Sequence, residues 1–279
     1  KSINSGLDLE MPSTGELSLG ILTEAYKSGE LDKEAVDRAV NNLINLAGKC
    51  GKAYKYGMCG ISPASSKSFV PGESVAHSKN PAPADYNAHH EIARKAAAES
   101  FVLLKNKKNS LPLRENDRVL CVGMLMQNPV IQGHGSSRVN PVKVDSIQEE
   151  LSKAGIRYSF EPGYNIGDEK PCPKLAEKAV RAAESCDKIV FFAGLFDSME
   201  AEGYDRENLR LPECQNDLIF RLSKTGRDLV VVLQTGSAVE MPWVGEVDSI
   251  LQMHLSGQGA GKALAQVLTG KINPCGKLA

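Results

Sequence analysis

Glu202, Asp205 and Arg206 lie close together in the run Glu202-Gly203-Tyr204-Asp205-Arg206-Glu207-Asn208-Leu209-Arg210-Leu211-Pro212. A carboxyl group in such a cluster can give or take a proton, and a guanidinium can pair with an anion. The preceding stretch, Lys188 to Gly194, is continuously apolar and β-prone, as in a parallel strand covered on both faces. Pro212-Glu213 opens an apolar-periodic segment that reads as a helix start. The cluster is therefore expected on a loop at a carboxyl end of the sheet, where open α/β folds place their active sites. Ionisable residues between a strand and a helix are ordinarily solvated, so spacing alone leaves that role open. Glu200, two residues upstream, is the rival carboxylate.

A second loop, Gly133-His134-Gly135-Ser136-Ser137-Arg138, follows a strand expected at Val119 to Met124. Its small residues allow close backbone approach, and its hydroxyls and guanidinium are donors. A dinucleotide reading is weak, because the third glycine is absent and the loop lies too far from its strand. Gly257 to Ala263 hints at a phosphate-binding loop, but Ser256 replaces the first glycine and Ala263 the metal-binding hydroxyl. The five histidines show no metal-ligand spacing, and only His134 is placed to meet a ligand. His89 and His90 read as a solvated pair at a helix start.

The elements that must position these loops follow from the remaining pattern. The 279 residues include 42% hydrophobic and 24% charged positions, enough for one large or two smaller domains. The formal charge of -1, with both signs scattered, offers no footprint for nucleic acid and no basic patch for a membrane surface. No apolar run approaches the ~20 residues of a membrane-spanning helix. The chain lacks an initiator Met, so its true beginning is expected elsewhere. Seven widely spaced cysteines argue against a disulfide framework and favour a cytoplasmic over a secreted setting. No metal or other cofactor is expected.

Near the start, Ile3 to Leu9 reads as a strand, and Leu19 to Ala25 and Ala35 to Leu46 read as helices, the second capped by Asp32. Residues 51–90, rich in Gly, Pro, Ser and Lys, read as a linker, as in Gly60 to Ser66 and Asn80 to Pro83. Beyond them, a helix through Ala93 to Leu103 is followed by strands near Val119 to Met124, Tyr158 to Phe160, Ile189 to Ala193, Leu229 to Leu233 and Ser249 to Met253. Helical stretches separate these strands, so residues 91–279 predict an α/β sandwich: a mostly parallel sheet flanked by helices.

The charged loop resembles a segment of glycoside hydrolase family 3, Glu-Gly-x-Asp-Arg followed by Leu-x-Leu-Pro-x-x-Gln, matched here through Gln215. Further segments resemble the family in the same order: Gly6 to Pro12, Glu99 to Asn106, Gly133 to Val139, and Asn273 to Leu278. The resemblance implies that residues 1–50 are the tail of a (β/α)8 barrel, that 51–90 link it to the sandwich, and that 91–279 carry the acid/base loop. It implies a retaining hydrolase of β-linked glucosides or oligosaccharides, in which two carboxyl groups about 5–5.5 Å apart flank the scissile bond.

Glu202 matches the general acid/base, while Glu200, Asp205 and Arg206 are expected to support the site. An acid working near neutrality needs a pKa raised toward ~6–7, so Arg206 must aim elsewhere, at Asp205 for instance. The second loop becomes a sugar cradle, with His134, Ser136, Ser137 and Arg138 binding substrate and Glu10 near the barrel mouth. Trp243 matches a core residue. The family's nucleophile is an aspartate in a Ser-Asp-Trp type motif upstream of Gly6; no such motif occurs here, so the barrel that carries it is the implied partner. Both ends look cut, and Cys275 stands where the family commonly has Ser. A β-xyloside substrate, a non-catalytic carbohydrate-binding or scaffolding remnant, a nucleotide-binding module and a homo-oligomer all stay open at this point.

Overall fold

The computed structural model describes residues 1–11, 16–55, 85–203 and 205–278, without the side chains of 51–55. They form two compact units, Lys1–Ala84 and Asp85–Ala279.

In the first unit, helix α1 spans Glu16–Lys27 and α2 spans Lys33–Lys55. Asp32 accepts the Glu34 backbone N–H at 3.0 Å and so caps α2 as its position predicts. The strand expected from Ile3 to Leu9 does not form. Residues 2–6 make a turn instead, and the segment is held by side chains: Arg38 Nη2 donates to the Ile3 carbonyl at 2.8 Å, and Asn42 donates to Asp8 at 2.9 Å. With no neighbouring strand among the described residues, these polar contacts replace a ladder. Helix α2 continues to Lys55, into the stretch expected to link the units, and the Gly60 to Ser66 and Asn80 to Pro83 segments lie outside the described residues.

The second unit opens with α3, Tyr86–Ser100, capped by Asp85, whose carboxylate accepts from the Asn87 and Ala88 amides. The helix expected to reach Leu103 stops at Ser100. Phe101 turns extended, and Val102–Asn106 form strand β1, antiparallel to the strand Ser249–Gln252. Pairing with a buried strand here overrides the helical pattern of the local sequence.

The other strands are β2 (Val119–Val122), β3 (Tyr158–Glu161), β4 (Lys188–Gly194), β5 (Asp228–Gln234) and β6 (Ser249–Gln252). The sheet order is β1-β6-β5-β4-β2-β3, and every pair except β1 with β6 is parallel. The remaining helices are α4 (Ile147–Lys153), α5 (Pro173–Ala183), α6 (Glu213–Ser223) and α7 (Ala260–Leu268). Helix α7 packs against α3 and α4, whereas α5 packs against α6. The central strands bury every residue of Ile189 to Ala193 and Leu229 to Leu233, which explains their unbroken apolar runs. Trp243 is fully buried, with Nε1 donating to Asn216 Oδ1 at 2.8 Å, the packing role expected of it.

His90 departs from expectation. It is buried, with Nε2 2.9 Å from Asp145 Oδ1 and Nδ1 2.7 Å from the Gln258 amide. Arg94 completes the cluster with two 2.7 Å bonds to Asp145. The first two turns of α3 thus face α7, and the solvated-pair reading fails for His90 because one helix face is covered.

Candidate active site

Strand order decides where a ligand can sit. From β2 the chain passes through α4 to β3 on one side, and from β4 it passes through α6 to β5 on the other. The loops leaving β2 and β4 therefore set out in opposite directions from the carboxyl ends of these neighbouring strands, the switch point at which α/β sheets bind ligands. The first of these loops carries Ser136 and the second carries Glu202.

Buried glutamines fasten this edge. Gln215, in the first turn of α6, accepts the Gly194 N–H and donates to the Gly194 carbonyl, both at 2.9 Å, satisfying the last residue of β4. Gly194 must be glycine, since a Cβ there would lie 2.4 Å from the Gln234 carbonyl oxygen. Gln234, ending β5, accepts from the Val130 amide at 2.8 Å and donates to the Leu125 carbonyl at 3.1 Å, pinning the loop after β2. Gln252, ending β6, donates to Thr235 at 3.0 Å and pins the loop after β5. Gly257 N–H reaches the Ile131 carbonyl at 2.8 Å, joining the loops after β6 and β2. Of these three glutamines, only Gln215 was singled out in the sequence. The signal for the others was a lone amide closing an apolar strand, where it has to satisfy backbone groups.

The two divergent loops are joined directly. His134 forms a parallel bridge with Ala201, and its carbonyl accepts the Glu202 N–H at 3.4 Å. The Ser136 N–H donates to Glu202 Oε2 at 2.9 Å, while Oε1 makes no hydrogen bond among the described residues. Gly135 allows this approach: its φ is +89°, and a Cβ would lie 3.0 Å from the Glu202 Cβ. Glu202, Ser136, Ser137 and Arg138 are all exposed. The cradle keeps its shape through Gln132, whose amide bonds both the N–H and the carbonyl of Val139.

The structure separates the two rival carboxylates. Both oxygens of Glu200 are occupied, by the Gly236 N–H at 2.9 Å and by the Ser237 hydroxyl, so Glu200 ties the β4 loop to the β5 loop. Arg206 donates to the Ala238 carbonyl at 2.7 Å rather than pairing with Asp205, which is exposed. Its partner is thus a backbone carbonyl and not the carboxylate expected. His134 Nε2 lies 2.6 Å from Asp197 Oδ1, a contact the sequence did not reveal. Glu10 is exposed in the first unit. On the loop after β6, burial lowers the pKa of His254, which favours the neutral imidazole at that edge.

The chain resembles known proteins over its whole length. It is 39% identical over 280 residues to thermostable beta-glucosidase B of Acetivibrio thermocellus, covering 99% of this chain and 34% of that protein. It is 32% identical over 288 residues to exo-alpha-(1->6)-L-arabinopyranosidase of Bifidobacterium breve, covering 100% of this chain and 35% of that protein. The crystal structure of the Bifidobacterium adolescentis GH3 beta-glucosidase superposes with a TM-score of 0.69 at 32% identity, over 98% of this chain and 37% of that one. The chain thus spans about a third of the length of these relatives. The model of the glycosyl hydrolase family 3 C-terminal domain matches residues 101–279, and the chain belongs to that family.

Proposed function

We propose that this chain supplies the general acid/base of a retaining glycoside hydrolase acting on β-glucosides, with Glu202 in that role and the nucleophile on a (β/α)8 barrel outside these residues. In this reading residues 1–50 are the barrel's tail, 51–90 the connection and 91–279 the catalytic sandwich. The observation that carries it is the state of Glu202. Its carboxylate is fixed at the switch point by the Ser136 N–H through one oxygen, and the other oxygen is left for a substrate. Glu200, the rival, has both oxygens occupied.

In the first half of the reaction Glu202 protonates the departing glycosidic oxygen as the barrel carboxylate attacks the anomeric carbon. In the second half it removes a proton from the water that releases the sugar. The anchoring leaves one oxygen available for both transfers, so the carboxyl need not turn between steps. Ser136, Ser137 and Arg138 offer hydroxyl and guanidinium donors to the sugar, with His134 behind them and Glu10 assigned to the barrel mouth. Asp205 and Arg206 support the loop.

Two polypeptides test this reading. The 279-residue chain alone should not hydrolyse aryl β-glucosides, whereas a polypeptide joining it to the barrel should. Glu202-dependent turnover by the chain alone would overturn the division of labour. Weak sugar affinity insensitive to Glu202→Gln would favour a carbohydrate-binding remnant instead. The arabinopyranosidase relative favours testing a second substrate class, because an arabinopyranoside, like a β-xyloside, lacks the hydroxymethyl group of a glucoside. Relative kcat/KM on the glucoside and the two pentosides decides between them.

A further inference from the structure

We infer that His134 and Asp197 form a latch that positions the Glu202 carboxylate, which makes His134 a positioning residue rather than a sugar ligand. The inference rests on the proposed role of Glu202 and deepens it. His134 sits on the loop after β2 and Asp197 on the loop after β4, the two loops that diverge at the switch point. The imidazole Nε2 is 2.6 Å from Asp197 Oδ1. A carboxylate only accepts, so Nε2 carries the proton. The ring is mostly covered, its side chain 21% exposed, whereas that of Asp197 is 71% exposed.

The backbone of the same histidine holds the other end of the β4 loop. Its carbonyl accepts the Glu202 N–H, and it bridges Ala201. The loop is therefore attached to residues 134–136 at three places: through the side chain of Asp197, through the backbone at 201 and 202, and through the Glu202 carboxylate on the Ser136 N–H. With Glu200 held separately on the β5 loop, removing the first attachment leaves residues 134–136 joined to the β4 loop only at 201 and 202, and the Ser136 to Glu202 bond lengthens. A contact to a side chain as exposed as that of Asp197 contributes little to global stability, so its loss should be read in the site and not in the fold.

The Ser136 amide proton gives the test on the 15N-labelled chain. In the wild type its chemical shift reports the bond to the Glu202 carboxylate, and Glu202→Gln, which removes the charged acceptor, moves it upfield. His134→Ala and Asp197→Ala should each move it in the same direction, the double variant should move it no further than either single one, and His134→Gln, which keeps a donor near Nε2, should leave it in place. The Trp243 indole N–H, bonded to Asn216, reports that each variant is folded. In the barrel-joined enzyme the two alanine variants should lower kcat on substrates with basic leaving groups by about 10- to 100-fold with KM little changed. A sugar-binding His134 would raise KM instead.

A wild-type Ser136 amide shift in either alanine variant, with a native Trp243 signal, overturns the latch. If Glu202→Gln leaves hydrolysis intact, the proposed function fails, whereas the latch still stands or falls on the Ser136 amide.

Discussion

A single left-handed glycine controls how near the two loops come. Gly135 has a φ of +89°, and the nearest atoms to a Cβ there would be Glu202 Cβ at 3.0 Å and Glu202 Oε2 at 3.2 Å. Gly135→Ala should cost about 1–2 kcal/mol in backbone strain and displace the carboxylate from the Ser136 N–H, which thermal melts and the Ser136 amide shift would measure together. Glu200 makes a contrasting case. Glu200→Ala removes two bonds to a charged group and should cost about 1–3 kcal/mol, read as faster exchange of the Gly236 amide, while leaving a carboxyl at 202 to act. A loss of proton donation in Glu200→Ala greater than that in Glu202→Gln would reverse the roles assigned to the two residues.

Among the elements, β4 and α6 are coupled through one amide. Gln215 satisfies both backbone groups of Gly194 in a buried setting, so Gln215→Leu leaves a donor and an acceptor unpaired and should cost about 2–4 kcal/mol in urea unfolding. A change below about 0.5 kcal/mol would mean that water replaces the amide. The same elements show what the sequence could convey. The parallel strands were legible because strands buried on both faces must be apolar throughout, and the helix start after Pro212 because proline suits a first turn. Strand β1 was hidden because Val102 and Leu103 continue an apolar pattern that suits a helix as well as an edge strand, and only the partner β6 decides. His90 was misread because a helix start carries no mark of which neighbour will cover it. The candidate site stands out in the sequence where motif and charge coincide, at Glu202, and is hidden where it depends on contacts across loops, as with Asp197, Gln234 and Gln252.

For the whole domain, the buried cluster of His90, Arg94 and Asp145 ties α3 to the segment leading into α4 and should set the response to acid. Burial raises the Asp145 pKa, but the bonds from Arg94 and His90 outweigh it and hold the carboxyl at about 2. The unfolded value is near 3.9, so the group contributes stability above about pH 4 that is lost as pH falls through about 2. Asp145→Asn should therefore be about 2–3 kcal/mol less stable than the wild type at neutral pH, with the difference shrinking across that window. A difference independent of pH would assign the effect to packing. The central claim concerns Glu202, and its most direct test is the rate of the barrel-joined Glu202→Ala enzyme on aryl β-glucosides of graded leaving-group acidity. The account predicts that the bond-cleavage step falls by about 10²–10⁴ for basic leaving groups and far less for acidic ones, which depart without a proton. An equal loss on every substrate, or none, would contradict it.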